Sequence, residues 1–378
     1  MAGKNDNAGD KSRKICFVGL DNYAFLRPDL KIPDMGGGEA VQHCLLARQF
    51  VALGHDVSTV VLDYGQTDDE EIDGIKIVKA HKPGAGIKGL RFFHPRMSGV
   101  WGALRRADAD IYYQSPAGAL TGITAAYCRL HDKKFIFRIA SDANCIPGKQ
   151  LIRFWRDRKI YESGLRKADI RAVQTKRQKA LLSRHYGLNS VIVNMVAERA
   201  EVDGDVRKTI DVLWVNHLRG VKRPDRFIQV ARSLPEYSFV MIGGASRGSE
   251  DLFGRIEREA AQTPNIKFLG SRPYSYVNDC LARSKLLLNT SDLEGFPNTF
   301  LQAWMRGVPV ATMFDPDDVV KSHKLGAATG KSEELPYLIK QFLVNDQLLG
   351  EYSTRAAEFA RRGFSAEAVV HQYLKLIA

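Results

Sequence analysis

Hydrophobic and polar residues alternate along the chain with two different periods. Short apolar runs, typical of strands buried on both faces, precede segments in which apolar residues recur every three or four positions. The first pair is KICFVGL at residues 14–20 and AVQHCLLARQFVALG at residues 40–54. Gly54 stands where a glycine commonly ends a helix. This alternation predicts an α/β protein built on parallel sheets.

Strand candidates recur through both halves of the chain. In the first half they are HDVSTVVLD, IYYQ, FIFRIAS and RAVQT, which begin at residues 55, 111, 135 and 171. In the second half they are TIDVLWVNH, SFVMIGG, IKFLG, KLLLNTS and VPVATM, which begin at residues 209, 238, 266, 285 and 308. Residues 196–208 are polar and aperiodic and predict a linker. Two series predict two Rossmann-like domains facing across a cleft, with ligands at the carboxyl ends of the strands.

Composition narrows the class of protein. The chain has 378 residues, a length that favours two domains, and no window is long and apolar enough for a transmembrane helix. Its five cysteines are odd in number and lack metal-ligand spacing, which favours buried thiols in a reducing cytosol. The net charge of +12 favours a phosphorylated ligand, an anionic membrane surface or nucleic acid. Without zinc-finger spacing or an RNP-type aromatic motif, nucleic acid is a rival hypothesis only.

The segment EGFPNTFLQAWMRGVPV, residues 294–310, combines a polar start with an apolar body. Pro297 suits the first turn of a helix, so Asn298 and Thr299 fall near its N-terminus. Exposed amides and the positive end of the helix dipole favour an anion there, and a diphosphate fits. The alternative is that Asn298 or Thr299 merely caps the helix.

Two further side chains belong to this helix entrance. Gln302 shares a helix face with Asn298 and Thr299, where its amide can bond vicinal hydroxyls such as those of a ribose. Glu294, in the turn before the helix, is placed to bind sugar hydroxyls or to favour positive charge at an anomeric carbon. Alternatively, Gln302 is a partly exposed surface residue.

This segment resembles the signature of family-4 retaining glycosyltransferases with the GT-B fold, in which two Glu residues are separated by seven positions. The chain has Glu294 at the first position but Gln302 at the second. In the family the second position is expected to bond the donor ribose. Gln302 can still donate and accept hydrogen bonds there, but it lacks the negative charge.

The segment WVNHLRGVKRPDRF, residues 214–227, resembles the family segment that carries an Arg and a Lys against the donor diphosphate. Lys222 matches the Lys, while His217 stands at the Arg position and Arg219 is the substitute cation. Cations beside a leaving diphosphate stabilise the charge that develops as the glycosidic bond breaks. The alternative is a loop of solvated basic residues.

Three further segments resemble the family more loosely. The glycine-rich loop MGGGE suggests that Gly37 and Gly38 line the donor phosphate or acceptor side of the cleft, although a plain tight turn fits equally well. Relatives carry a His near residue 141 that touches the donor sugar, and Asp142 is the substitute here, with a turn-forming Asp as the alternative. KFLGSRPYSYV resembles the segment whose backbone contacts the base, so Ser271 and Arg272 are donor-site candidates.

The resemblance covers nearly the whole chain and implies a division of roles. Residues 1–13 are expected to form a disordered tail, and they lack the apolar core of a secretory signal. Residues 14–200 are implied to be the acceptor domain and residues 201–360 the nucleotide-sugar domain. Residues 361–378 are implied to form a C-terminal helix that crosses back and packs on the first domain.

The resemblance also implies an activity. A sugar would pass, with retention and without a metal or other cofactor, from a nucleotide diphosphate sugar to a glycan or lipid-linked acceptor in surface polysaccharide or glycoconjugate synthesis. Glu294, Lys222 and Asp142 would be the catalytic residues. A cytoplasmic location is expected, with the inner face of an anionic membrane as an open alternative, since RFFHPR at residues 91–96 mixes aromatic and basic residues.

Other classes of protein stay open at this point. A sugar-nucleotide epimerase of the same fold would need no acceptor, and a non-catalytic nucleotide-sugar-binding protein is consistent with Gln302 and His217. LGAATGKSEE, from residue 325, resembles a P-loop but is one residue too short, and IGGASRG, from residue 242, lacks dinucleotide-site spacing.

Overall fold

A computed structural model describes residues 12–30, 32, 37–199, 206–246 and 248–377. Most of the predicted tail and residues 200–205 of the predicted linker lie outside the described residues. The chain forms two compact units. The first takes in the described residues of 1–30, 35–138 and 151–172, and the second those of 31–34, 139–150 and 173–378.

Seven neighbouring strands of one sheet lie in the first unit, in the order β3-β4-β2-β1-β5-β6-β7. Their bounds are β1 Lys14–Val18, β2 Asp56–Val61, β3 Glu71–Ile72, β4 Ile75–Lys79, β5 Ile111–Gln114, β6 Lys134–Arg138 and β7 Ile170–Val173. The pairs are parallel except β3 with β4. The central strands are buried almost throughout because helices cover both faces of a parallel sheet.

Helices follow the strands of the first unit. They are α1 Asn22–Leu26, α2 Gly38–Ala52, α3 Ser98–Ala107, α4 Ala119–Leu130 and α5 Trp155–Lys167. Gly54 follows α2 with a φ of +83°, so the predicted helix-ending glycine is confirmed. Helices α4 and α5 cross at Gly122 and Gly164, where a Cβ on Gly164 would come within 2.7 Å of the Gly122 Cα.

The second unit contains a six-stranded parallel sheet in the order β11-β10-β9-β12-β13-β14. Its strands, with the short β8, are β8 Val191–Ile192, β9 Ile210–Val215, β10 Phe239–Ile242, β11 Ile266–Phe268, β12 Ser284–Asn289, β13 Val310–Thr312 and β14 Gly326–Ala328. Its helices are α6 Lys176–Tyr186, α7 Pro224–Ser233, α8 Glu250–Ala261, α9 Tyr274–Ala282, α10 Asn298–Met305, α11 Val319–Ser322, α12 Leu335–Leu343, α13 Asp346–Phe364 and α14 Ala366–Ile377.

Two hydrophobic clusters cover the two faces of the second sheet. One contains Phe300 and Trp304 of α10, and the other contains Trp214 of β9 and Phe227 of α7. The apolar body of residues 294–310 is therefore core, as its pattern predicts. The polar start of the same segment lies at the edge of that core.

The predicted strands of both series are present in the described residues. The patterns missed β3, β4, β8 and β14, which have two to five residues and give little periodic signal. The five cysteines are buried and unpaired, as predicted. Residues 361–364 belong to α13, and α14 follows after Ser365.

The terminal helix α14 is tied to the segment before the linker. The side-chain carbonyl of Gln372 accepts a hydrogen bond from the Asn194 amide at 3.1 Å. The Ala197 amide donates to the Phe364 carbonyl at 2.7 Å. These residues belong to the second compact unit. Packing of the terminal helix on the first domain stays a prediction.

Candidate active site

The loops that leave β9, β10, β11 and β12 meet at the carboxyl edge of the second sheet, because these four parallel strands are neighbours. Three main-chain hydrogen bonds join all four of these loops. The Leu218 amide donates to the Gly244 carbonyl at 3.0 Å, and the Gly243 amide donates to the Gly270 carbonyl at 2.9 Å. The Asp292 amide donates to the Val221 carbonyl at 2.9 Å. Polar residues that are far apart in sequence are thereby brought together.

Glu294 and Lys222 form the centre of this edge. The Lys222 Nζ lies 2.6 Å from the Glu294 Oε2, and the two side chains are only 18% and 10% exposed. The other carboxylate oxygen of Glu294 accepts from the Ser291 Oγ at 2.7 Å and from the Asn289 Nδ2 at 3.3 Å. The carboxylate is therefore held in one orientation without any ligand.

The position of Lys222 is set by the core beneath it. Lys222 ends a single 3-10 turn, Gly220–Lys222, and its carbonyl accepts from the Thr290 Oγ1 at 2.8 Å. That hydroxyl in turn accepts from the buried Trp214 Nε1 at 2.9 Å. Because Trp214 belongs to β9 and Thr290 follows β12, the sheet itself fixes the lysine next to Glu294.

The helix entrance differs slightly from the prediction. Helix α10 begins at Asn298, so Pro297 is its N-cap residue rather than part of its first turn. The reason is the extended backbone at Pro297, which has a ψ of 125°. A proline side chain has no acceptor for the first-turn amides, so the N-cap residue leaves the positive end of the helix without a side-chain cap.

Gln302 belongs to a three-residue polar relay. Its Nε2 donates to the Asn278 Oδ1 at 2.9 Å, and the Asn278 Nδ2 donates to the Glu198 Oε2 at 3.1 Å. The side-chain carbonyl of Gln302 is thus the atom directed away from Asn278. Position 302 has no carboxylate, but the third residue of this relay, Glu198, provides one.

The remaining donor candidates lie on exposed loops of the same edge. His217 and Arg219 follow β9 and are exposed, and the Arg219 Nε donates to the Ser246 Oγ at 3.0 Å. Ser271 and Arg272 follow β11 and are also exposed, and the Arg272 guanidinium lies 5.7 Å from the centre of the Tyr276 ring. The structure brings these loops to one edge, and their donor roles stay predictions.

Asp142 is buried and forms an ion pair. Its carboxylate lies 2.8 Å from the Arg177 Nε. Burial raises the pKa of Asp142, while the adjacent Arg177 guanidinium opposes that rise. The role of Asp142 at the donor sugar stays a prediction.

The segment that carries Asp142 nevertheless contacts the Glu294 loop within the second unit. The Gln174 Oε1 accepts from the Phe296 amide at 2.7 Å. A Cβ on Gly295 would collide with the Ala140 carbonyl, so only glycine fits beside Glu294.

Gly37 and Gly38 lie in the first unit, at the start of α2. Gly37 has a φ of −64° and an extended ψ of −168°, so this position does not need the left-handed backbone that glycine permits. Their role at a ligand stays a prediction.

Sequence reasoning missed several site residues. Asn289 and Ser291, which orient Glu294, come from the NTS that ends the apolar run KLLLNTS. A polar triplet directly after a buried strand was an available signal. Gly243, set aside with IGGASRG, has no room for a side chain, because a Cβ there would collide with the Asn216 carbonyl oxygen. A Cβ at Gly244 would lie 3.0 Å from the Ser271 Cβ. Asn278 and Glu198 gave no local signal.

A groove of about 580 Å³ lies elsewhere in the second unit. Its lining includes Ile210 and Phe239, the first residues of β9 and β10, so it opens at the amino end of the sheet. It holds none of the predicted site residues, and we place the site at the carboxyl edge. In the described part of the chain, no group of three or more His, Cys, Asp or Glu side chains is arranged for a metal ion.

Two family models together match most of the chain. Residues 36–197 match the family model described as Glycosyltransferase Family 4, and residues 198–362 match the one described as Glycosyl transferases group 1. The two matches are contiguous and take in both sheets. The chain has both domains of a family-4 type glycosyltransferase. No curated protein matches it.

Solved structures share the fold of this glycosyltransferase. Sucrose-phosphate synthase from Thermosynechococcus elongatus has a TM-score of 0.75 at 15% identity, covering 96% of this chain and 98% of that one. HepE from Anabaena, in complex with UDP and glucose, has a TM-score of 0.73 at 13% identity, covering 97% and 99%. WaaG, a glycosyltransferase involved in lipopolysaccharide biosynthesis, has a TM-score of 0.66 at 17% identity, covering 96% and 99%. The predicted GT-B fold, with two Rossmann-like domains, is confirmed.

Proposed function

We propose that this glycosyltransferase moves a sugar, with retention, from a nucleotide diphosphate sugar to a glycan or lipid-linked acceptor. The observation that carries the proposal is the Lys222–Glu294 pair beside the uncapped start of α10. One cation, one oriented carboxylate and a helix N-terminus are what a diphosphate sugar needs. The complexes of HepE with UDP and with UDP-glucose support a uridine nucleotide as the first donor to test.

Each group would have one task in the reaction. The start of α10 and Lys222, with Arg219, would hold the diphosphate and stabilise the charge that it gains as the bond from the anomeric carbon to the phosphate oxygen breaks. Glu294 would stabilise positive charge on the sugar. The departing phosphate oxygen would take the proton of the acceptor hydroxyl, whose oxygen bonds the anomeric carbon on the same face. No protein nucleophile and no metal enters this scheme.

In the free protein Glu294 neutralises Lys222. A bound diphosphate would compete for that ammonium group and leave the carboxylate directed at the sugar. Keeping the pair together before binding avoids an unpaired buried charge on either side chain.

The test is Lys222→Ala, with Lys285→Ala as the matched control. Lys285 pairs with Asp211 at 2.8 Å towards the amino end of the sheet. With a panel of nucleotide sugars, we expect Lys222→Ala to lower nucleotide release at least about 100-fold and to lose the thermal shift that UDP gives, with an unchanged fold by circular dichroism. Lys285→Ala should keep both. Near-normal turnover in Lys222→Ala would refute the phosphate assignment.

The same assay separates the rival activities. An epimerase would convert the donor sugar without an acceptor and without net nucleotide release. A non-catalytic binding protein would show the thermal shift but no release of nucleotide. Transfer would give nucleotide release that rises with a supplied acceptor.

We propose that the acceptor is met at the inner face of an anionic membrane, in surface polysaccharide or glycoconjugate synthesis. No helix in the described segments combines the length and apolarity of a membrane span. The first unit, however, exposes Leu151, Phe154 and Trp155 by 76%, 53% and 75%. The Arg156 guanidinium lies 3.6 Å from the centre of the Phe92 ring, which joins this segment to RFFHPR. Exposed aromatic side chains among cations suit an anionic lipid surface.

Vesicle sedimentation at low salt tests the membrane proposal. We expect binding to vesicles with phosphatidylglycerol but not to pure phosphatidylcholine, and a loss of at least about tenfold in Trp155→Asp. Tyr337→Asp is the control, because Tyr337 is 67% exposed on α12 in the second unit. Equal binding by both variants, or none by the unmodified protein, would contradict the proposal.

A further inference from the structure

Three polar side chains, those of His43, Ser115 and Arg138, meet on one face of the first sheet at its carboxyl edge. In the strand register Tyr113 pairs with Ile136 and Gln114 with Phe137, so Ser115 and Arg138 follow as the next neighbours. Because faces alternate along a strand, Ser115 and Arg138 point to the same face as Tyr113. The Tyr113 ring lies 5.2 Å from the ring of His43 on α2, which covers that face.

Gly19 marks the same place from the adjacent strand. Val18 pairs with Gln114, so Gly19 continues the row of Ser115 and Arg138. A Cβ on Gly19 would lie 2.5 Å from the His43 Nδ1. Register and steric contact thus agree that His43, Ser115 and Arg138 gather at one point.

Among the described residues, Arg138 is a buried cation without a counter-ion. Arg138 is the last residue of β6 and is 3% exposed. Its Nη2 has no hydrogen-bond partner in the described part of the chain. Across the described residues, no carboxylate lies within ion-pairing distance of Arg138. A guanidinium group is always charged, so burial without an opposite charge is costly.

His43 presents an N–H donor to the same region. The Thr59 Oγ1 gives its proton to the Phe17 carbonyl at 3.0 Å, so it must accept from the Asn22 Nδ2 at 2.9 Å. The same Asn22 nitrogen then donates to the His43 Nδ1 at 3.2 Å, which places the imidazole proton on Nε2. That Nε2 is buried, and no described residue forms a hydrogen bond with it.

The third group is the hydroxyl of Ser115. The residue is fully buried, and its Oγ also has no hydrogen-bond partner within the ranges that the structure describes. The cluster therefore offers a guanidinium edge, an imidazole N–H and a hydroxyl, all donors, and it carries one net positive charge. Neutral ligands such as water can accept hydrogen bonds here, but only an anion also neutralises Arg138.

We propose that His43, Ser115 and Arg138 bind a carboxylate or phosphate group carried by the acceptor. The inference rests on the proposed function, since it names the chemical class of the acceptor: an acidic sugar or a phosphate-bearing glycan. The charge of Arg138 sets the preference for an anion, while the His43 and Ser115 donors set its orientation. A neutral sugar of the same size would leave Arg138 without a counter-charge.

The test compares acidic and neutral sugars on the full chain saturated with UDP, so that the donor site is occupied. Isothermal titration would use glucuronate for the carboxylate, glucose 6-phosphate for the phosphate, and glucose as the neutral control. We expect at least one acidic sugar to bind about tenfold or more tighter than glucose, and Arg138→Met to remove that difference. Arg171→Met is the matched control, because Arg171 is half-buried on the neighbouring strand β7.

Stability gives a second readout that a structural role would not produce. If Arg138 lacks a counter-charge in the free protein, Arg138→Met should melt at the same temperature or higher, whereas loss of a structural partner would lower the melting temperature. Equal affinity for acidic and neutral sugars would overturn the inference, as would an acidic preference that survives in Arg138→Met. If UDP itself fails to bind, the proposed function fails first, and the two failures are distinguishable.

Discussion

The carboxyl edges of the two sheets differ in how their buried charges are neutralised. In the second unit Lys222 and Glu294 neutralise each other, and Asn289 and Ser291 hold the carboxylate. In the first unit Arg138 is as deeply buried, yet it faces the uncharged donors of His43 and Ser115. A site that binds a diphosphate can exchange one anion for another. A site without its own anion has nothing to exchange, so it favours an acidic ligand outright.

Among the variants that test this comparison, Glu294→Gln should have the largest effect, because it removes the carboxylate that neutralises Lys222. The amide keeps the shape of the side chain but removes the charge that would stabilise the sugar and orient Lys222. We expect turnover of the donor to fall by about 10²–10³-fold, as for other groups that stabilise charge in a transition state.

Asp292→Asn is the control for Glu294→Gln. Asp292 lies two residues away and pairs with Arg226 at 2.5 Å, but its side chain is 47% exposed. A large loss in both variants, or in neither, would show that the Lys222–Glu294 pair serves the fold rather than the reaction. Turnover with UDP-sugars and melting temperature should be measured side by side.

Substitution of His43 tests whether its buried imidazole is uncharged in the folded protein. Burial, with Arg138 nearby, lowers the pKa of His43 to about 3 from its ordinary 6.5. Between these values the unfolded chain binds a proton that the folded chain excludes, so stability is fully present above pH 6.5 and falls as the pH drops towards 3. At pH 5 this amounts to about 2 kcal/mol.

Urea unfolding at pH 7.5 and pH 5.0 measures that loss. His43→Gln should lose about 2 kcal/mol less than the unmodified protein between the two pH values. His371→Gln, at an exposed position on α14, should leave the pH dependence unchanged. Identical slopes in all three proteins would mean that His43 is protonated in the folded state.

Gln302→Glu should have the smallest effect of these variants. It tests how the relay of Gln302, Asn278 and Glu198 in the second unit responds to an added negative charge. The Asn278 Oδ1 accepts from Gln302 while its Nδ2 donates to Glu198, so the oxygen rather than the nitrogen faces position 302. One carboxylate would then face the Asn278 oxygen, and we expect a loss of about 1 kcal/mol in the free energy of unfolding.

The double variant Gln302→Glu with Glu198→Gln should recover that loss, since Asn278 can turn its amide over and restore both hydrogen bonds. Thermal unfolding of the two single variants and the double variant gives the coupling directly. Additive effects would show that the relay does not act as a unit.

Much of the fold followed from local patterns. The apolar runs of β5 and β9 are strands, and the apolar face of residues 40–54 is helix α2, because strand and helix periods are visible within a few residues. The two-residue strands β3 and β8 and the three-residue β14 are too short to show a period. Their existence depends on a neighbouring strand.

The residues of the candidate site likewise divide into those that local patterns predicted and those that they did not. Glu294 and Lys222 were predicted because each stands in a recognisable segment next to a strand end. Asn278 and Glu198 were missed because neither stands in such a segment. The hydrogen bond from Gln302 to Asn278 spans 24 positions of the chain, and the one from Asn278 to Glu198 spans 80. The missing charge at position 302 was visible in the sequence, but the carboxylate that approaches it was not.

By itself the sequence determined the order of strands and helices, the resemblance to a glycosyltransferase and the identity of the charged groups near strand ends. Only the tertiary structure decided the partner of each charge: Glu294 for Lys222, 72 residues away, and no carboxylate of the described chain for Arg138. The physical reason is the distance along the chain over which a sequence pattern carries information. Periodicity reports neighbours within one or two turns, whereas an ion pair or an unpaired buried cation depends on which distant segments the sheet brings to the same edge.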